Sequence, residues 1–246
     1  MNALLILSFF FIAMVYASVG FGGGTSYLAL MGVMAVPFDV MRPAALMCNI
    51  IVVTGGTYIF VKEGHLSWKT TWPFLLVSIP LAFLGGLWPI KEHTFFRLLG
   101  LSLVLAAMLL WFQDKLMKLR TDEKKSDSML LNIVLGGGIG FLSGLVSIGG
   151  GIFLSPVLHL LKWDHARRIS ALASVFILVN SISGLAGQLS GAGSLDWKLI
   201  LPLLAAVLVG GQIGSRLGAH TFNALYIRRI TAVLILVAGT NILLNH

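Results

Sequence analysis

Apolar residues along the chain fall into long unbroken runs, and polar residues gather between the runs rather than alternating with them. Such runs read as helices that cross a bilayer, each needing roughly 17–25 residues. Six fit that length, at about 43–61, 70–90, 95–113, 168–189, 197–216 and 223–244. Two do not. Residues 3–36 and 129–161 would each make a straight helix about 50 Å long, against a hydrocarbon core about 30 Å thick. Gly20, Gly22, Gly23 and Gly24 interrupt the first, and Gly149, Gly150 and Gly151 interrupt the second. Glycine runs are poor helix formers, so both segments are expected to break near the middle.

Composition strengthens this picture. Of 246 residues 57% are apolar and 11% charged, with a mean hydropathy of +0.95. A soluble domain carries roughly 25% charged residues, which argues against a soluble globule, a disordered chain or a nucleic-acid binder. The lone Cys48 leaves no disulfide framework and no cysteine-built metal site. Met1 and Asn2 bring no basic residue to the apolar stretch 3–17, so no cleavable leader is expected.

The polar stretch 114–128 divides the chain almost in half, and the two sides match. Gly22-Gly23-Gly24 corresponds to Gly149-Gly150-Gly151, and Phe38-Asp39-x-x-Arg42 to Trp163-Asp164-x-x-Arg167. Asn49 pairs with Ser174, Trp68-Lys69 with Trp197-Lys198, Pro73 with Pro202 and Gly85 with Gly214. The expected fold class is therefore all-α and membrane-integral, built from two repeats at 1–113 and 129–246 with the charged linker 114–128 between them. Each repeat is a glycine-interrupted hairpin followed by three spanning helices.

Charge decides between parallel and inverted copies. If the interrupted segments cross the membrane, 8 basic residues lie on one side and 9 on the other. If each dips in and returns, only Arg42, Lys91, Arg97 and Lys198 lie on one side, and the remaining 13 lie opposite. The positive-inside rule selects the second arrangement. It predicts inverted repeats, a cytoplasmic linker, both termini outside, and a multi-pass protein of the bacterial-type inner membrane. Trp68, Trp88, Trp111, Trp163 and Trp197 sit near span ends, as an interfacial belt requires.

Irregular backbone inside a bilayer is tolerated only where protein buries it or water reaches it. Paired glycine breaks in two halves point to a transporter's binding site. A helix that starts inside the membrane offers free N–H groups and a partial positive charge, and glycine lets an anion come close. Gly22, Gly23, Gly24, Thr25, Ser26, Ser147, Gly149, Gly150 and Gly151 are thus candidate anion-binding residues, joined by Asn49 and Ser174, polar positions inside apolar runs. The plain alternative is that these glycines only permit tight helix packing. Asp39 with Arg42 and Asp164 with Arg167 read as local i,i+3 pairs at helix entrances or, more sharply, as gates. His159 is the one histidine inside a predicted membrane segment and the candidate for proton coupling. No Walker sequence, nucleophile elbow or metal-ligand spacing is found, so neither an enzyme nor a cofactor or metal site is expected.

Ser18-Val-Gly-Phe-Gly22-Gly-Gly24 and Gly144-Leu-Val-Ser-Ile-Gly149-Gly-Gly151-x4-Pro156 resemble the TauE/SafE sulfite exporter family, also called TSUP. Ala171-Leu-Ala-Ser174 and Gly210-Gly-x-x-Gly214-x-Arg216-Leu-Gly218 are similar to it too. The resemblance implies a secondary transporter of small anions such as sulfite, sulfonates including sulfoacetate, thiosulfate or sulfate. The first half departs from the pattern: position 29 is Ala where Pro156 stands in the second. A passive anion channel and a membrane scaffold remain as other readings. The expected partners are a small anion and the bilayer, with a proton as coupling ion and a homodimer left open.

Overall fold

The computed structural model describes residues 3–18, 20–119, 128–191, 195–218 and 224–245. The described residues form ten helices and no strand. In chain order they are α1 (Ala3–Ala17), α2 (Gly24–Val33), α3 (Phe38–Lys62), α4 (Trp68–Leu87), α5 (Glu92–Leu119), α6 (Met129–Val146), α7 (Gly151–Leu160), α8 (Ala166–Ser190), α9 (Trp197–Gly218) and α10 (Ala224–Asn245). Six of them, α3, α4, α5, α6, α8 and α9, contain stretches long and apolar enough to cross a membrane. The chain is a multi-pass membrane protein. Two differences from the expected spans stand out. The charged stretch does not begin at 114 as a loop, because α5 runs on to Leu119; residues 120–127 lie outside the described residues. And α6 alone, at 18 residues, is long enough to span, while the described apolar part of α10 is the shorter Thr231–Leu244.

Both oversized segments break where the glycines are. Gly20, Gly23, Gly149 and Gly150 have φ of 82°, 80°, 86° and 81°, the left-handed region that side chains resist. Ser147 enters it as well, with φ 60°. The same hydrogen bonds close both breaks: Phe21 N donates to Tyr16 O, and Ile148 N donates to Ser143 O. The chain then turns back. Tyr27 of α2 stacks on Phe9 of α1 with ring centroids 4.5 Å apart, whereas a continuous helix would separate them by about 27 Å. A methyl group at Gly150 would stand 3.1 Å from Ile139 of α6.

Helix directions follow from the small residues at the contacts. Gly210 and Gly214 lie on the backbones of Phe10 and Met14, so α9 and α1 run side by side in the same direction. Gly136, Gly140 and Gly144 lie on Phe74, Ser78 and Ala82, so α6 and α4 do likewise. Gly56 faces Ser174 while Gly184 faces Leu46, which makes α3 and α8 antiparallel. Gly100 faces Leu243 and Arg229 lies over the Trp111 ring at 5.9 Å, which makes α5 and α10 antiparallel. Helices α3 and α8 form the centre, with 67% of the apolar window of α8 buried. Membrane helices lack a hydrophobic drive to associate, so close backbone approach at small residues holds them. Of the five tryptophans expected at the interface, Trp68, Trp88, Trp111 and Trp197 are exposed. Trp163 is not: it is buried edge-on against Phe74, rings 5.7 Å apart, because the loop into α8 folds under α4.

Gly144→Ala places a methyl group against the Ala82 carbonyl oxygen and the Gly86 amide. It should lower unfolding stability by about 1–3 kcal/mol. Gly138→Ala meets nothing within 4 Å and should hold or raise stability, by up to about 1 kcal/mol. Melting temperatures of the two variants in detergent check this; equal losses would mean that close approach of α4 and α6 does not hold the fold.

Candidate functional site

The two glycine breaks meet each other at the centre of the molecule. Asn49 stands in the middle of α3 and is fully buried. Its Nδ2 donates to the carbonyl of Ile148 in the second break at 3.0 Å. Its Oδ1 has no hydrogen-bond partner and faces the first break, where a methyl group at Gly22 would strike it. A methyl at Gly24 would lie 2.5 Å from Nδ2. One amide side chain therefore touches both breaks, and only glycine leaves it room. On the opposite side Ile177 of α8 fills the equivalent place against Gly149 and Gly151.

The helices that start here are α2 and α7. Their N-caps, Gly23 and Gly150, make no side-chain capping bond. The first N–H groups of a helix lack intrahelical partners, and together with the aligned peptide dipoles they carry roughly half a positive charge. Both helices have 10 residues, so the first half breaks and restarts as the second does although Ala29 stands where the second has Pro156.

Several expected residues occupy other roles. Thr25 and Ser26 bond the Tyr16 hydroxyl at 3.3 and 2.7 Å, tying α1 to α2. Ser147 is fully buried and accepts from Gln188 Nε2 at 2.6 Å. Ser174 is not the counterpart of Asn49. It lies against Gly56, one turn from Ile177, which holds that place. The mismatch arises in the loops: Asp39 is inside the first turn of α3, whereas Asp164 precedes the start of α8. Matching the two aromatic–aspartate pairs therefore shifts the register by three residues.

Three of the four candidate gate residues at helix ends, Asp39, Asp164 and Arg167, stand apart from the breaks. Asp39 is about 15 Å along α3 from Asn49, and Arg167 about 15 Å along α8 from Ile177. His159 is buried in the last turn of α7. Asp164 pairs with Arg168 at 3.2 Å and accepts from the His165 amide at 2.7 Å. Arg42 is different. Its guanidinium lies over the rings of Phe38 and Phe95, at 5.3 and 5.4 Å, and donates to the Leu145 carbonyl in the last turn of α6 at 3.1 Å. A cation at a helix C-terminus is electrostatically favourable, and Nε of the same side chain has no partner.

Two residues near the second break escaped the sequence reading of the site. Ser181 lies 2.9 Å from the point where a Gly149 methyl would be, and its hydroxyl has no partner. Gln188, near the end of α8, donates to the Ser147 hydroxyl. Both lie on the α8 face that carries Ile177, at helical spacing, and that face became recognisable only once Ile177 was placed. The cavity of about 290 Å³ between α5 and α10, lined by Ala107, Met108, Trp111, Ala232, Val233 and Leu236, is apolar and remote from the breaks.

Comparison with known proteins agrees with this architecture. The sulfite exporter TauE/SafE family model matches residues 5–242. The chain belongs to that family. It is 34% identical to the probable membrane transporter protein y4hK of Sinorhizobium fredii over 245 residues, 97% of each chain. It is 27% identical to the probable membrane transporter protein YjnA of Bacillus subtilis over 261 residues, covering 99% of this chain and 100% of that one. YunE of the same organism, also a probable membrane transporter, is 24% identical over 88% of this chain and 89% of its own. No solved structure matches. The family and these relatives are membrane transporters by description, not enzymes.

Asn49→Ala removes the bond to Ile148 and should lower stability by about 1–2 kcal/mol. Thermal unfolding in detergent reads the loss. An unchanged melting temperature would mean that the two breaks are not held together by this amide.

Proposed function

We propose that this protein is a secondary transporter of small anions, sulfur-containing ones such as sulfite, sulfonates, thiosulfate or sulfate, working by alternating access between two inverted halves. One observation carries the proposal: two helix starts without a side-chain cap, opened by Gly23 and Gly150 in the left-handed conformation, follow two breaks that a single buried amide, Asn49, touches at Gly22 and at Gly149. Two half-helix N-termini facing one point favour negative charge without a buried lysine.

The inverted reading, with repeats at 1–113 and 129–246, rests on helix directions. In inverted copies, equivalent helices run antiparallel. The pairs α3 with α8 and α5 with α10 do so. Packing partners also exchange as two-fold symmetry requires: α1 on α9 mirrors α6 on α4. On this reading each hairpin enters and leaves on one face. Lys162, Arg167, Arg168 and Arg216 then share a face with the end of α5 and the linker, the cytoplasmic one by the positive-inside rule. Both termini lie outside, in an inner membrane. Arg42 then stands on the outer side of the breaks, where it draws anions in and gates them by exchanging Leu145 O for solute. The solute touches Gly22, Gly23, Gly24, Gly149, Gly150 and Gly151, with Asn49 between. The breaks are tightly packed around Asn49 and Ile177, so entry requires the halves to move apart, as alternating access demands. His159 and the aspartates at the helix entrances are the titratable groups a proton-coupled cycle would use.

Gly23→Leu and Gly150→Leu combine a left-handed φ with side-chain collision at Tyr27 and Phe176. Each should abolish anion flux into liposomes while the protein still inserts; near-normal flux in either removes the glycine site. Flux that saturates and depends on a counter-ion separates a transporter from a channel. In a Cys48→Ala background, single cysteines at Asp39 and Asp164 should label from opposite faces of the membrane. Labelling of both from one face would overturn the inverted arrangement.

A further inference from the structure

The two hairpins share a backbone and differ in chemistry. Gly20 and Ser147 hold corresponding left-handed positions after α1 and α6, and Ala35 and Lys162 hold another pair, with φ of 52° and 49°. Gly56 against Ser174 and Gly184 against Leu46 fix the register of α3 on α8. In that register Asn49 corresponds to Ile177, Val53 to Ser181 and Phe60 to Gln188. The contacts agree: Phe60 lies 3.7 Å from where a Gly20 methyl would be, as Gln188 lies 2.6 Å from the Ser147 hydroxyl.

At these matched positions the first hairpin has Val53 and Phe60 where the second has Ser181 and Gln188. The first break also borders unpartnered polar atoms, the Tyr27 hydroxyl at Gly23 and Asn49 Oδ1 at Gly22, but Oδ1 is an acceptor and repels an anion, whereas the donor end of the same amide, Nδ2, faces the second break. Ser147 and Ser181 are fully buried and Gln188 is 3% exposed. Ser181 Oγ and Gln188 Oε1 have no partner. Buried polar atoms without partners are costly in an apolar surrounding, so a lasting arrangement of them marks a place where something else completes the bonds. From the first half, Asn49 also reaches across to this side. Its Nδ2 is 3.1 Å, and Ser181 Oγ 2.9 Å, from the same missing methyl at Gly149.

We infer that the anion is not shared equally by the two breaks. Building on the transporter reading above, its oxyanion head is held at the start of α7. The Ser181 hydroxyl and the Asn49 amide donate to it beside Gly149, and Ser147 with Gln188 completes the polar wall. Ile177 closes the apolar side. The α2 hairpin serves as the moving counter-wall. Neutral donors and backbone N–H groups hold a compact oxyanion such as the sulfite or sulfonate group, and leave Arg42 free to act at the entrance. Ser181 and Gln188 are then specificity-determining residues, while Val53 and Phe60, their mirror positions, are not.

The test uses purified full-length protein titrated with sulfite and, separately, with sulfoacetate, followed by calorimetry and by melting temperature. Ser181→Ala and Gln188→Leu should each weaken binding about ten- to a hundredfold, as loss of a hydrogen bond to a charged group does. The unliganded melting temperature of Ser181→Ala should stay close to that of the wild type, because its hydroxyl has no protein partner, whereas Gln188→Leu also loses the bond to Ser147 and should melt lower. Val53→Ala and Phe60→Leu should change affinity by less than about threefold, a difference too small to reflect a lost charged hydrogen bond. If Ser181→Ala does not fold, the near-isosteric Ser181→Cys carries the same expectation. Unchanged affinity in the Ser181 and Gln188 variants, or an equal loss at Val53, overturns the one-sided site while wild-type binding leaves the transporter reading standing. Wild-type protein that binds neither anion removes that reading and this assignment together.

Discussion

Everything in this fold answers to one constraint: backbone N–H and C=O groups freed from a helix cannot be left facing hydrocarbon. The chain breaks two apolar helices and must then hide the ends. It does so by setting the breaks against each other at the middle of the two central helices, α3 and α8. Asn49 satisfies the Ile148 carbonyl from across the molecule, and Arg42 satisfies that of Leu145. Both bonds run from the first half to the second. The breaks are thus stable only as a pair.

Close packing makes this possible. Where α4 meets α6 and α8, the contacts are made by Gly85, Gly86, Gly136, Gly140, Gly144 and Gly187 lying on the partner's backbone. Where α1 meets α9, Gly210 and Gly214 do the same. Glycine in this protein thus has two separate uses. At Gly20, Gly23, Gly149 and Gly150 it supplies a backbone conformation; along the helices it supplies the absence of a side chain.

Much of this was legible in the sequence. Segment length against bilayer thickness located both breaks to within a few residues, because a helix too long for the membrane must bend or stop, and glycine says where. The family was legible from the same glycines. Side-chain roles were less so. Thr25 and Ser26 looked like donors beside a glycine run, but Tyr16, six residues before that run begins at Gly22, takes both hydroxyls. The pairing of Asn49 with Ser174 failed because surface tokens, an aromatic followed by aspartate, were aligned across loops of different geometry. Sequence similarity follows residue types, whereas register follows where each helix starts, and a three-residue slip moves a side chain about 4.5 Å along the helix and about 60° around it.

That slip matters for how two similar halves come to do one job. With Asn49 opposite Ile177 rather than Ser174, the centre holds one amide and one aliphatic side chain, and symmetry is broken where the two halves touch. Two asparagines there would compete for the same space between the breaks. One asparagine can bridge them, because the facing isoleucine asks for no hydrogen bond. The cost is an Asn49 Oδ1 with no protein partner, held beside Gly22 and Gly24. A helix start beside an unsatisfied amide is a poor resting arrangement for a purely structural core. It is a reasonable one for a site whose contacts are completed by a passing solute, since a fully satisfied centre would have no reason to open.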